Sequence, residues 1–440
     1  MSADKNLPAV APVQDAKLLA LQQENQRLKR AVEELSFLND LARAIGASTN
    51  LQDIMQTVVH RALQAIHAGQ GVITLVEATA SDPTRTLVRD MASTGEQQHF
   101  RPNEILLGWM HYHKMPLVLN HPREDQRFRD VKWDKAVVSL VCVPLIVKSA
   151  LKGVLTVYNK KDGAGFSDED HRLLAIIAAQ SAQVIENARL SEEEQTLLRM
   201  QEQVRLATKI QSDLLPKTAP QIAGYDIAGQ TIPAQSVGGD YFDFVPVDDS
   251  RLALCLGDVS GKGLPASLLM ANLQATIRGQ TLVEATPKIC LTRANQLLCH
   301  STDQCNFITF FYALLNHQTH ALTYASAGHN PPVLFSANGT HRMLERRGLV
   351  LGIRGQSNYE EETVALQTGD LLVIYSDGIV EAMNHWQEEF GEERLIKAVQ
   401  QHREQTATAL SEKIIQTVKQ HAGPAPQSDD ITLVILKKTA

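Results

Sequence analysis

The chain has 440 residues, 44% apolar and 21% charged, the make-up of a globular protein with room for two or three domains that each bury a core. A formal net charge of −7 argues against nucleic-acid binding as the main business, and no apolar run approaches the roughly 18 residues of a membrane-crossing helix. With no charged and apolar leader at its start, the chain reads as cytoplasmic; Cys142, Cys255, Cys290, Cys299 and Cys305 form no C-x-x-C pair and read as reduced core residues.

Residues 1–15 hold two prolines and many small side chains and read as disordered. Leu18, Leu21, Leu28, Val32 and Leu35 then follow at alternating three- and four-residue steps, with Asn25 and Asn39 in the same seam. An asparagine at an inward coiled-coil position fixes register at a cost in stability, so 16–40 is expected to be a helix paired in a homodimer, an amphipathic helix lying on its own domain being the competing reading. The pattern changes over 36–186. A helix is expected near 51–67, strands at 71–76, 116–119, 137–147 and 153–158, and a helix opening at Phe166-Ser167-Asp168-Glu169-Asp170. Ser167 is placed to cap that helix, and the three acidic residues after it favour the helix dipole. This order, with Ser139-Leu140-Val141-Cys142-Val143-Pro144-Leu145 after a variable middle, resembles the GAF family of sensory domains. The resemblance implies an α/β sensor of a type that often, though not always, encloses a small molecule between its sheet and its variable loops, here near 89–129. Trp109, His111, His113 and Trp133 are the candidate lining residues, packing or surface roles are the competing reading, and no residue pattern names the ligand.

The helix opening at Asp168 carries on through Leu173, Ile177, Val184, Leu190, Leu197, Val204 and Ile210, with no glycine or proline before Pro216. Its segment 187–216 reads as a helical linker whose sparse apolar stripe needs a partner helix.

Over 217–440, strands are expected at 225–231, 240–246, 251–257, 307–315, 321–326, 332–336, 371–375 and 431–437, with helices near 264–280, 285–300 and 408–421. Runs of strands with segregated helices imply layers, not a parallel wound sheet. The domain is organised around an apolar run, 252–256, halted at Gly257-Asp258-Val259-Ser260-Gly261-Lys262-Gly263, a carboxylate in a glycine-rich turn. This is not a phosphate loop, because the Walker pattern would need glycine at Leu256 and a hydroxyl at Gly263. Asp240 opens the aromatic run 241–245, and the polar connection 246–250 makes a hairpin of the two runs, which sets Asp240 beside Asp258. The device recurs: 371–376 ends at Asp377, and Asp429-Asp430 precede the run 431–436. If these strands pair antiparallel in one sheet system, four aspartates gather at one edge, where like charges raise one another's pKa unless a cation neutralises them. Oxygen ligands without histidine or cysteine favour Mg²⁺ or Mn²⁺ over zinc. Singly, each aspartate is an ordinary turn former; together they read as a metal site.

The stretches 237–244, 257–263, Gly328-His329-Asn330-Pro331-Pro332, 375–382 and 429–433 are similar to the motifs of the metal-dependent, PPM-type protein phosphatases. Within that superfamily the match is to the bacterial branch of the stage II sporulation phosphatase and the sigma-factor regulators. The resemblance implies a four-layer α-β-β-α domain over 217–440, and so an α+β multidomain protein with a GAF-like sensor at 36–186 and a helical coiled-coil linker at 187–216. It implies that Asp258 bridges two or more Mn²⁺ or Mg²⁺ ions with the carbonyl of Val259 as a further ligand. Asp377 and Asp429 would complete the shells and Asp240 would act chiefly through metal-bound water, while Asp430 is the lesser candidate of its pair. Asp240 and Asp258 are then the catalytic residues, through a water that attacks phosphorus in line. Ser260 stands where eukaryotic relatives often carry a histidine, a candidate proton donor. His329 is another candidate donor, with a turn-shaping role as the competing reading. The segment 207–216 resembles the transmission element ahead of the catalytic domain in related phosphatases. The function implied is a signal-regulated serine/threonine phosphatase acting on a phosphorylated anti-sigma-factor antagonist or similar partner-switching protein. A catalytically inactive scaffold that binds signalling partners is the alternative, against which the four filled acidic positions argue.

Overall fold

The computed structural model describes residues 50–78, 86–94, 100, 104–283, 286–301, 306–345 and 348–440, with a few scattered positions between 21 and 28. The readings made for 1–15 and Cys305, and nearly all of that made for 16–40, lie outside the described residues. The chain divides into two compact units, Met1–Leu198 and Arg199–Ala440.

The first unit is built on one antiparallel sheet. Helix α1 (Leu51–Ala65) is capped by Asn50, whose side chain accepts from the Gln52 N–H at 2.8 Å. Strands β1 (Ala68–Ala78) and β2 (Thr86–Thr94) follow, then helix α2 (Glu104–His113), strands β3 (Leu117–Leu119), β4 (Leu140–Val147) and β5 (Ala150–Lys160), and the helix α3 (Asp168–Leu214). The strand order is β2-β1-β5-β4-β3. Side chains alternate across the sheet with period two. Ile73, Leu75, Val141, Val143, Leu155 and Val157 pack with α1 and the first turns of α3, while Val72, Leu140, Cys142, Val154 and Tyr158 pack with α2 on the other face. As expected, Ser167 caps α3: its Oγ accepts from the Asp170 N–H, and the Asp170 carboxylate accepts from the Ser167 N–H in return.

The variable middle is more ordered than its sequence suggests. Trp109, His111 and His113 sit on helix α2, not in a loop. Trp109 packs against the second core with Trp133, whereas His111 and His113 are exposed, His113 stacking on Trp109 at 4.3 Å between ring centres. The three apolar anchors Leu106, Leu107 and Met110 recur at helical spacing and decide the element.

The second unit has two five-stranded antiparallel sheets. Its elements run β6 (Tyr225–Ile232), β7 (Tyr241–Pro246), β8 (Arg251–Val259), α4 (Leu264–Thr281), α5 (Pro287–Ser301), β9 (Ile308–Asn316), β10 (Ala321–Ala327), β11 (Val333–Phe335), β12 (His341–Met343), β13 (Glu362–Ala365), β14 (Leu371–Tyr375), α6 (Asp377–Val380), α7 (Gly391–His402), α8 (Ala407–Ala422) and β15 (Ile431–Lys438). The sheet orders are β13-β10-β9-β8-β7 and β12-β11-β14-β15-β6. Residues from both, among them Phe242, Leu254, Phe311, Leu372, Ile374 and Val434, form one buried core between the sheets. Helices α4 and α5 cover the outer face of the first sheet, α7 and α8 that of the second, which makes four layers, α-β-β-α. The two aspartate-bearing strand pairs therefore do not share a sheet: β7 and β8, joined as a hairpin, belong to one, and β14 and β15, with α6, α7 and α8 between them in the chain, belong to the other. The pattern of each pair carries no record of which sheet it joins.

Candidate active site

Each acidic residue stands where a strand begins or ends. Tyr241 pairs with Gly257 in the β7–β8 register, which brings Asp240, just ahead of β7, opposite Asp258. In the other sheet Tyr375 pairs with Leu433, placing Asp377 at the end of β14 near Asp429 and Asp430 at the start of β15. Ser376 ties this corner: its Oγ donates to the Asp430 carbonyl at 3.0 Å and accepts from the Thr432 N–H at 2.9 Å. Gly378 is required there, since a Cβ would fall 2.1 Å from the Asp430 carbonyl oxygen.

The carboxyls feel one another. Burial, then the charges of Asp377, Asp429 and Asp430, pushes Asp258 up to about 7. Burial and the neighbouring Asp258 raise Asp240 well above the usual carboxylate range, and burial with the Asp429 charge raises Asp377. Glu381 is raised as well, by burial and by Asp377. Lys262 answers part of this charge: its Nζ lies 3.0 Å from Asp429 and donates to the Ser428 carbonyl.

A hard divalent cation fits this arrangement. All the donors are oxygens, and Asp240 Oδ2 is buried with no hydrogen-bond partner. The Val259 carbonyl oxygen faces the loop ahead of Asp240, 2.7 Å from where a Cβ at Gly239 would lie. Among the described residues no three acidic, histidine or cysteine side chains converge closely enough to chelate one ion by themselves, so water would complete any shell.

Asp430 does different work from Asp429. Its carboxylate accepts from the backbone N–H of Ala234 at 2.8 Å, of Gly239 at 2.7 Å and of Asp240 at 3.2 Å, and so folds the loop that presents Asp240. Gly238 must be glycine here, because a Cβ would meet Asp430 Oδ2 at 2.1 Å. Ser260 Oγ accepts from the Phe307 N–H at 2.9 Å, which holds the turn against the start of β9. His329 is buried, shares a 2.9 Å hydrogen bond with Thr309, and burial lowers its pKa to about 4, so it is a neutral imidazole at pH 7. The residues that sequence reasoning passed over are Lys262, weighed only as part of a false phosphate loop, Ser376 and Gln211. A cavity of about 490 Å³ opens beside the acidic turn, lined by Ser260, Lys262, Ala266, Leu269, Asn272 and His300 among others.

Comparison with known proteins agrees with this geometry. The family model of stage II sporulation protein E (SpoIIE) matches residues 248–439, and that of the GAF domain matches 48–186. The phosphoserine phosphatase RsbU of Bacillus subtilis (strain 168) is 32% identical over 253 residues, covering 56% of this chain and 74% of that protein. The chain belongs to the SpoIIE-type PPM phosphatase family. It is a metal-dependent protein serine/threonine phosphatase with a GAF domain ahead of its catalytic domain. The phosphoserine phosphatase RsbP of the same organism is 20% identical over 251 residues, covering 55% of this chain and 59% of that protein. Among solved structures, the SiaA-PP2C domain of Pseudomonas aeruginosa superposes with a TM-score of 0.49 at 20% identity, covering 55% of this chain and 98% of that one. Among the described residues of the phosphatase no helix is long and apolar enough to cross a membrane.

Proposed function

We propose that this phosphatase dephosphorylates a phosphoserine or phosphothreonine on an anti-sigma-factor antagonist or a similar partner-switching protein, in the cytoplasm and under control of its GAF domain. The meeting of Asp258 with Asp240, Asp377 and Asp429 from two separate strand pairs carries the reading. Asp258 would bridge two or more Mn²⁺ or Mg²⁺ ions, with the Val259 carbonyl, Asp377 and Asp429 completing their shells and Asp240 holding water. Such ions would lower the pKa of a bound water and neutralise the phosphoryl oxygens as charge builds. The chain's own part is to hold five oxygen donors on two rigid sheets, so that little reorganisation accompanies the reaction. Asp240, buried beside Asp258, would act through the water it holds. Lys262, at the mouth of the cavity, supplies a cation for the substrate phosphate once Asp429 turns to a metal ion.

The substrate class is supported by the names of the relatives, both phosphoserine phosphatases. The deciding experiment mixes the full chain with a phosphorylated antagonist protein, with Mn²⁺ and with a chelator in its place. Phosphate release in the first mixture alone supports the reading. Tight binding without release in either would leave the inactive scaffold instead.

A further inference from the structure

Within 187–216 one side chain is buried, and it is polar. Leu190, Leu197, Met200, Val204 and Ile210 are all exposed, whereas Gln211 is 8% exposed. Its amide makes two hydrogen bonds to a single residue: Nε2 donates to the Gly238 carbonyl at 2.6 Å, and Oε1 accepts from the Gly238 N–H at 3.1 Å. One turn earlier, Thr208 Oγ1 donates to the Ser236 carbonyl at 2.8 Å. Gly238 lies two residues before Asp240, and Asp430 grips the other side of the same loop. The loop that presents Asp240 is therefore held between the last turns of α3 and the start of β15.

We propose that Gln211 is a positioning residue for the phosphatase reaction, coupling the seat of the last turns of α3 to the placement of Asp240. The inference rests on the reading of the acidic cluster as the metal site. A planar amide that matches both the N–H and the C=O of one residue fixes the helix in translation and in rotation. An apolar side chain in its place would tolerate sliding. One residue of helical rise is about 1.5 Å, and a shift of that size along either bond takes it outside hydrogen-bond distance.

The test uses the full chain, Gln211→Leu, which is uncharged and cannot hydrogen-bond, and Gln211→Glu, which keeps the acceptor and loses the donor. Hydrogen–deuterium exchange in the chelated protein and the Mn²⁺ concentration for half-maximal hydrolysis are measured together. The expected result is faster exchange confined to 236–241 and a Mn²⁺ requirement raised about 10-fold, with kcat at saturating Mn²⁺ within about 2-fold of the parent. Unchanged exchange with an unchanged Mn²⁺ requirement overturns the proposal. So does faster exchange spread over the whole of 217–440, the mark of a merely structural residue; if Gln211→Leu does not fold, Gln211→Glu is judged by the same two measurements. A parent chain without Mn²⁺-dependent hydrolysis counts against the metal-site reading, and the exchange pattern alone then decides the Gln211 contact.

Discussion

Two adjacent aspartates divide the labour of the site. Asp429 points its charge at Asp258 and Asp377, while Asp430 spends its carboxylate on three backbone N–H groups. Asp429→Ala is accordingly expected to abolish hydrolysis with little change in urea midpoint. Asp430→Ala strands buried donors and should cost at least about 2 kcal/mol of stability as well as activity. Equal stability losses in the two variants would contradict this division. Asp258 gives a prediction with a sign. Its folded pKa is raised to about 7, so in the metal-free protein its contribution is present below the unfolded value of 3.8 and is lost progressively as pH rises through about 7. Asp258→Asn should therefore be more stable than the chelated parent, by a margin that grows by roughly 2–3 kcal/mol between pH 5 and pH 8, while hydrolysis is abolished. A margin that stays flat with pH would mean the carboxyls do not crowd one another. The division between Asp429 and Asp430 was only partly legible in the sequence. Adjacent identical residues differ in role because one side chain turns into a loop more than 190 positions away, and no local pattern records that contact.

At the scale of elements, helix α4 is locked to β7 by Arg278, whose guanidinium holds the fully buried Asp243 at 2.7 Å while the Tyr241 hydroxyl donates to the same carboxylate. Removing the arginine leaves a buried charge without its partner. Arg278→Ala should cost about 3 kcal/mol in chemical denaturation, and an undiminished midpoint would show that Tyr241 and the Phe244 N–H suffice. The strands and helices around the site were readable from the chain because apolar runs of strand length end at aspartates and glycines, and the hairpin connection 246–250 sets the register. Elements with weaker signals escaped. Strands β12 and β13 are three and four residues long, too short for a periodic pattern, and helix α7 carries a polar face so large that its anchors Leu395, Ala398 and Val399 are few. Gln211 escaped for another reason: glutamine is an ordinary residue on an exposed helix, and its burial follows from the loop that packs on it.

For the whole molecule, the exposed apolar residues of α3 argue for pairing between chains. Leu190, Leu197 and Val204 recur every seven residues, with Leu197 60% and Val204 40% exposed, a seam that a second copy of the helix would cover. A double substitution, Leu197→Glu with Val204→Glu, is expected to convert a homodimer to a monomer in sedimentation at micromolar concentration. Monomeric behaviour of the unsubstituted chain would refute the pairing. The long-range part of the design is what the sequence could not supply, since periodicity shows that α3 needs a partner without saying which.

Strand β15 lies between β14 and the edge strand β6, and the acidic pair stands immediately before it. During synthesis Asp240 and Asp258 leave the ribosome some 170 residues ahead of these last contributors. A nascent or prematurely terminated product lacking them would have neither a closed sheet nor a complete cluster of carboxylates. A chain that stops before the acidic pair is accordingly expected to release no phosphate from a phosphoprotein.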